Sequence, residues 1–282
     1  MNTSLLATSR DWLAVAIRKL ELNGISSASL DAIIILCFCL KLTKIEILSN
    51  PNIKLSKKQL KLAETLLNKR LTNYPIAYIV NSVEFYNCSF YVDSRVLVPR
   101  PESESFINLL KTENIYNLKY LTDVGCGSGV LGISSKLEFP HLQIELLDKS
   151  KNALKVSNIN LLKFGLKADV KMSNLLSSSN NKFNIILANL PYVPKTIAVS
   201  PSVLFEPKMA IFANNDGLNF YIKMFAQLEQ ISNKPKYILV ECLDQQIPIL
   251  TKLMNKLQYR SIRSEGLVHM FLYDSKMTDY QV

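Results

Sequence analysis

Leu121-Thr-Asp-Val-Gly-Cys-Gly-Ser-Gly-Val-Leu-Gly132 holds four of the chain's eight glycines, at positions 125, 127, 129 and 132. Tyr120 to Val124 reads as a short, apolar, buried strand, and Ser128 to Leu137 as the start of a helix. A strand that turns through glycines into a helix lets backbone N–H groups come close to a ligand. Turns of this kind serve several cofactor classes, and a tight turn with no ligand is the plainer alternative. Residues beyond the turn must separate them.

From Lys119 onward, strand and helix patterns alternate. Strands are predicted at 119–124, 142–147, 168–172, 183–188 and 236–242, and helices at 128–137, 150–164, 216–232 and 244–258. A terminal pair at 260–263 and 267–273 closes around Gly266. This alternation implies an α/β fold with a mostly parallel sheet and helices on both faces. Upstream, residues 4–72 read as helices. Trp12, Leu13, Ala16, Ile17 and Leu20 recur at helical spacing. Ser29 and Ser56 are cap candidates for a second and a third helix, and Asn50-Pro51 marks a break. Between these regions, Glu84 to Val92 is rich in aromatics around Asn87 and reads as a β-hairpin. The expected organisation is a helical docking domain at 1–72, a linker with a hairpin at 73–98, and an α/β domain at 99–282.

Composition narrows the class. A chain of 282 residues with 48% hydrophobic and 20% charged residues has ample material for a core. Its net charge of +10 fits an anionic partner such as a ribonucleoprotein, and fits scattered solvated lysines equally well. Residues 1–81 carry 11 basic and 5 acidic residues, a net of +6. Five scattered cysteines and two distant histidines show no zinc-ligand spacing, so no metal is expected. The cysteine pattern and the absence of a signal-peptide pattern point to a cytoplasmic protein. The longest apolar run, Ala32 to Leu40, is too short to span a bilayer.

Asp148 ends the second strand, about 20 residues past the glycine turn, where an acidic side chain accepts from ribose hydroxyls. A helix N-cap is the alternative role. The pattern Asp123-x-Gly125-x-Gly127-x-Gly129 lacks the dinucleotide spacing and any P-loop Lys-Ser/Thr pair. S-adenosylmethionine has no phosphate and carries a positive sulfonium, which suits Asp123 better than a pyrophosphate would. In Ile185-Ile-Leu-Ala-Asn-Leu-Pro-Tyr-Val-Pro194 a strand runs out at the carboxyl edge of the sheet, where α/β ligands bind. The Asn189 amide and the Leu190 carbonyl can accept the two N–H groups of a target –NH2. Tyr192 offers a flat face to a planar amide or base. Catalysis there is mostly orientation.

Several segments carry a family resemblance. Asn189-Leu-Pro-Tyr192 resembles the (N/D)PP(Y/F) motif of amino-directed S-adenosylmethionine methyltransferases. Leu97-Val-Pro-Arg-Pro-Glu-Ser-Glu104 resembles the LIPRPETE segment of the protein release factor glutamine methyltransferases, the PrmC or HemK family. Asp31-Ala-Ile-Ile-Ile-Leu36 is similar to that family's DAxxLL helix. Pro75-Ile-Ala-Tyr-Ile79 with Glu84-Phe85 is similar to its PIAYIxGxxEF segment. Phe205-Glu-Pro-Lys-Met-Ala210 and Gly217-Leu218 are similar to its FEPxxAL and GL.

The resemblance implies a class I, Rossmann-like methyltransferase domain with a small N-terminal helical bundle. It implies methylation of a glutamine side-chain amide in class I peptide chain release factors, by a monomeric enzyme that works close to the ribosome. S-adenosylmethionine would be held by Asp123, Gly125, Cys126, Gly127, Ser128, Gly129, Asp148, Asn174, Leu175 and Asn189. The target glutamine would be held by Asn189, Leu190, Pro191 and Tyr192, with Asn189 and Tyr192 catalytic. Three positions depart from the pattern: Leu190 stands in place of Pro, Asn174 in place of Asp, and Asn81 in place of Gly. Asn-Leu-Pro-Tyr is also the form found in rRNA adenine dimethyltransferases, so adenine methylation in rRNA or DNA is the runner-up. Glutamine methylation of a ribosomal protein shares the same chemistry.

Overall fold

The structure, a computed structural model, describes residues 8–277. The start of the helical reading at residues 4–7 lies outside them. The described residues form two compact units, one of 8–82 with 200–205, the other of 83–199 with 206–277.

The first unit is helical. Helix α1 (Ser9–Leu22) is opened by a capping box between Thr8 and Asp11, and α2 (Ala28–Leu40) is apolar almost throughout. A short α3 (Lys44–Ser49), α4 (Lys57–Leu71) and α5 (Ile76–Val80) follow. Trp12, Ala16 and Leu20 are buried against Ala32, Ile35 and Leu36 of α2 and Ala63 and Leu67 of α4. Asp31 is buried and pairs with Arg70 at 2.7 Å, and Ser27 Oγ also donates to it. Removing one partner of such a pair typically costs about 3–5 kcal/mol, because the other charge stays buried and unpaired. Two short helices escape the sequence pattern. Residues 76–80, expected in the linker, form α5, which ends on Asn81 at φ +52°. Asparagine tolerates that left-handed conformation where glycine would be the default.

The second unit opens with the hairpin β1 (Val83–Phe85) and β2 (Cys88–Phe90). Tyr86 and Asn87 both have positive φ, as a tight two-residue hairpin turn requires. After a turn of 3-10 helix at Pro101–Glu104 come α6 (Ser105–Lys111), β3 (Tyr120–Val124), α7 (Val130–Glu138), β4 (Gln143–Asp148), α8 (Lys151–Lys163), β5 (Asp169–Met172) and β6 (Ile185–Ala188). A small parallel pair, β7 (Val193–Pro194) and β8 (Phe212–Ala213), precedes α9 (Asn219–Glu229), β9 (Tyr237–Glu241), α10 (Ile247–Lys256), β10 (Tyr259–Glu265) and β11 (Val268–Tyr273).

The main sheet has seven strands in the order β10-β11-β9-β6-β3-β4-β5. Its β9-β6-β3-β4-β5 portion is parallel, and β11 runs antiparallel to both neighbours. Successive residues of the central strands feed opposite cores. Ile185 and Leu187 pack with α6 and α7, while Ile186 and Ala188 pack with α9 and α10. Both faces are therefore covered, which is why these strands read as near-continuous apolar runs. This is the α/β architecture that the alternation implies.

Candidate active site

The strand order places the motifs. From β3 the chain moves outward through β4 to β5, then returns to the other side of β3 as β6. The direction of winding reverses between β3 and β6, and such a switch point opens a crevice at the carboxyl ends of the strands. The glycine turn leaves β3 and Asn189 follows β6, so both flank that crevice. A cavity of about 460 Å³ lies there, lined by Gly125, Gly127, Asp148, Asn174, Leu175, Asn189, Leu190 and Pro191 among others.

Positive φ at Gly125 (+74°), Gly127 (+55°) and Gly129 (+81°) makes the turn tight. Nothing lies within 4 Å of where a Cβ on Gly127 would sit. Asp148 faces this turn. One carboxylate oxygen accepts the Gly127 N–H at 2.9 Å and the other the Ser150 N–H at 2.7 Å. The N-cap of α8 is Ser150, whose hydroxyl accepts from Ala153 N. Asp148 is thus free of that duty and lines the cavity with lone pairs to spare. Burial raises its carboxyl above the usual range, opposed by N–H groups of Ser150, Gly127 and Lys149.

Asp123 lies behind the turn, fully buried, and its carboxylate accepts the Gly132 N–H at 2.9 Å. It braces the first turn of α7 and does not line the cavity. Burial pushes its pKa up to about 7, the charge of Asp148 adding to the shift and the Gly132 N–H opposing it. The folded chain therefore holds a proton between pH 4 and 7 that the unfolded chain releases. The stabilisation is complete below about pH 4 and is lost as pH rises through about 7. Between pH 5 and 8 the ligand-free protein is expected to lose about 3 kcal/mol more stability than Asp123→Asn does. Urea titration of both proteins at the two pH values checks this, and parallel losses would remove the assignment.

At the far end of the cavity, Leu175 is held at φ +60°, a strained value for a branched side chain. Ser173 Oγ donates to its carbonyl at 2.7 Å. The backbone of Asn174 is fixed by Ser177 Oγ and Gln227 Nε2, with its side chain at the cavity wall.

The second half of the site is a polar cluster behind Asn189. Its Nδ2 donates to Ser103 Oγ and to Glu241 Oε2, each at 2.9 Å. Tyr192 OH donates to Glu241 Oε1 at 2.8 Å. Burial and the Glu241 charge raise the Tyr192 phenol far above its usual range. Leu190 has an N–H that proline would lack, and it goes to Tyr221 OH at 3.3 Å. That hydroxyl also bonds the carbonyls of Ala188 and Glu241, so it ties the ends of β6 and β9 to the turn. Leu190 itself meets the glycine turn: a Cβ on Gly125 would stand 3.0 Å from its Cδ2.

Two motif segments brace the wall. The buried Glu206 carboxylate accepts Val98 N at 2.9 Å and Arg100 Nη2 at 2.5 Å. That clamp fastens the Leu97–Arg100 stretch to the Pro207–Ala210 stretch, both of which contribute to the cavity. The Arg95 guanidinium at the rim is already paired with Asp93 at 2.5 Å.

Of the residues expected at the site, Gly125, Gly127, Asp148, Asn174, Leu175, Asn189, Leu190 and Pro191 share the cavity wall. Asp123, Cys126, Ser128, Gly129 and Tyr192 do not. Cys126 is a buried thiol, and Gly129 caps α7. The Ser128 carbonyl accepts from Asn160, a buried residue of α8 that also bonds both backbone groups of Tyr91. Sequence reasoning missed Glu241, Ser103, Glu206 and Asn160. Glu241 had a usable signal, an acid ending an apolar strand, as Asp148 is in Ile144-Glu-Leu-Leu-Asp148. Among the described residues no cluster suits a metal ion, and no helix is long and apolar enough to cross a membrane.

The cavity fits S-adenosylmethionine. It offers a carboxylate for a diol and apolar walls, and the Arg95 guanidinium among its lining residues is already taken by Asp93. Residues 11–80 match the family described as PrmC N-terminal domain, and residues 101–205 match methyltransferase small domain. The release factor glutamine methyltransferase of Buchnera aphidicola subsp. Schizaphis graminum is 34% identical over 210 residues, covering 73% of this chain and 76% of that one. The protein of the same name from Mycoplasma mycoides is 37% identical over 202 residues, covering 69% and 71%. The hMettl16 catalytic domain, solved with a MAT2A 3′UTR hairpin, shares the fold with a TM-score of 0.53 at 11% identity, over 67% of this chain and 77% of that one. Matched in both its helical and its α/β part, and alike to such relatives over most of their length, the chain belongs to the release factor glutamine methyltransferase family.

Proposed function

We propose that the chain transfers a methyl group from S-adenosylmethionine to the side-chain amide nitrogen of a glutamine in class I peptide chain release factors. The observation that carries this reading is the Asn189 amide, held through Nδ2 by Ser103 and Glu241 and standing with Leu190 on the cavity wall, which leaves Oδ1 and the Leu190 carbonyl as the acceptors for a target amide. Two oxygens set this way take both N–H groups of a primary amide and aim its nitrogen. S-adenosylmethionine supplies an electrophilic methyl on sulfur. Gly125, Gly127, Asp148, Asn174 and Leu175 hold the donor, Asp148 by accepting from the ribose hydroxyls. Asn189, Leu190, Pro191 and Tyr192 hold the glutamine. The bond from nitrogen to methyl forms as the sulfur–methyl bond breaks, and the nitrogen then releases its proton to solvent. Orientation of this kind supplies a large part of a barrier reduction. The reading also assigns Asp123, Cys126, Ser128 and Gly129 to the shape of the donor loop, and the helical unit to docking of the folded substrate. The enzyme would act as a monomer in the cytoplasm, near terminating ribosomes.

The test is mass spectrometry of release factor, of an isolated glutamine-containing loop peptide and of rRNA, each incubated with the whole chain and isotope-labelled S-adenosylmethionine. The expected result is one methyl on a glutamine, with the folded factor modified far more efficiently than the peptide. A methyl on adenine would replace this reading with nucleic-acid methylation. Equal efficiency on factor and peptide would remove the docking role.

A further inference from the structure

Asn189 has two unlike faces, and only one of them serves an acceptor amide. The Asn189 Nδ2 is the donor face: it lies 2.9 Å from both Ser103 Oγ and Glu241 Oε2, which share an N–H directed between them. The Ser103 hydroxyl sends its own proton to the same Oε2 at 2.6 Å, so its lone pairs are left for Asn189. Tyr192 OH occupies the other carboxylate oxygen. Donors from the 3-10 turn after Arg100, the turn after β6 and the tyrosine beyond it thus converge on one buried side chain. Glu241 is 2% exposed, and among the described residues it makes no ion pair within 4.0 Å. Burial raises its carboxyl above the usual range, with Ser103 and Tyr192 pulling the other way.

An ionised carboxylate only accepts. Flipping the Asn189 amide would set Oδ1 against Oε2, two acceptors 2.9 Å apart with no proton between them. Water cannot relieve that clash at a buried site. A buried acid with no cation in contact is a poor way to gain stability, since an apolar replacement often does as well. Its value must lie in what it orients.

We propose that Glu241 is a positioning residue for methyl transfer: it selects the Asn189 orientation that turns Oδ1 to the target nitrogen, and it holds the Tyr192 phenol. The inference rests on the methyl-transfer reading of the site. Glu241 acts through its two neighbours and does not itself touch substrate. Its negative charge also polarises them. A hydrogen bond to a carboxylate enriches the opposite end of the amide in electron density. That density faces the nitrogen as positive charge grows on it during carbon–nitrogen bond formation.

The experiment compares Glu241→Gln, Ser103→Ala and Ser103→Thr with the parent chain. It reads S-adenosylmethionine Kd by calorimetry, kcat and KM on a glutamine peptide, and the Asn189 side-chain NH2 signals by nitrogen-15 NMR. Glu241→Gln is expected to lower kcat about 100-fold, with KM and Kd within about threefold, and to shift the Asn189 pair and speed its exchange with solvent. Ser103→Ala should lose about fivefold, the value of one hydrogen bond, and Ser103→Thr should regain it. A kcat within twofold of the parent in Glu241→Gln, or an unmoved Asn189 pair, overturns the proposal. Rises in Kd and KM as large as the fall in kcat overturn it too, because they signal a merely structural carboxylate. A parent chain that methylates no glutamine overturns the activity reading instead, and the NMR comparison still decides the role of Glu241.

Discussion

Asn189→Ala is expected to lower methyl transfer by about 10²–10³-fold, the cost of removing one preorganised hydrogen-bonding group from a reacting centre. The loss has two parts. The target amide loses the Oδ1 acceptor, which leaves only the Leu190 carbonyl to orient it. Behind the missing side chain, Ser103 Oγ and Glu241 Oε2 lose a donor at 2.9 Å, so Glu241 is left with less to offset its burial. S-adenosylmethionine affinity should change far less, because Gly127, Asp148 and Leu175 are untouched. Single-turnover methylation of a release factor, with calorimetry of donor binding on the same preparation, separates the two. Full activity in this variant would end the mechanism.

Gly217→Ala carries the second large effect, this time on the scaffold. Gly217 has φ +87°, and a Cβ there would stand 2.0 Å from the Tyr192 carbonyl oxygen and 2.2 Å from Gln246 Nε2. Gln246 donates to that same carbonyl and to the Asp216 carbonyl, so the glycine, the glutamine and the turn after β6 are packed as one knot. An alanine must push the turn away from its place and adopt a left-handed backbone as well. The expected cost is about 3 kcal/mol, which for a domain of this size lowers Tm by roughly 10 °C. Activity should fall further than stability, since Tyr192 moves with its carbonyl. Thermal melts and kcat at a temperature where the variant remains folded read both. An unchanged Tm would mean that the turn gives way easily.

Much of the fold was legible because its signals are local. Buried parallel strands announce themselves as apolar runs, and the glycine turn marks where the first of them ends. Asp148 and Asn189 were legible for the same reason, standing at the ends of such runs. The short helix α3 was missed although Thr43-Lys-Ile-Glu46 is a capping box, because six residues are too few for a period to show. Helix α5 has only five, and its start on Pro75 reads as a loop. Asp123 illustrates the opposite failure. Its position at the strand end pointed to the ligand, yet the side chain leans back to the Gly132 N–H. The sequence shows where a strand stops and leaves open which way the last side chain turns. Glu241 could be read as an acid ending an apolar strand, but its contact with Asn189, like that of Ser103, could not. They meet Asn189 across 52 and 86 residues of chain, and nothing local encodes a contact that distant.

The strand order has a consequence for how such an enzyme can change. The residues assigned to the methyl donor follow β3, β4 and β5, except Asn189, which both sets share, and those assigned to the acceptor follow β6 and β9 or lean on them. The two sets flank the seam where β3 pairs with β6, and Leu190 packs close to Gly125 there. Substitutions on the acceptor side can therefore retune which nitrogen is presented while the donor half stays as it is. The sheet works as a bench with two vices that share Asn189, and that residue and the seam between them have to be kept.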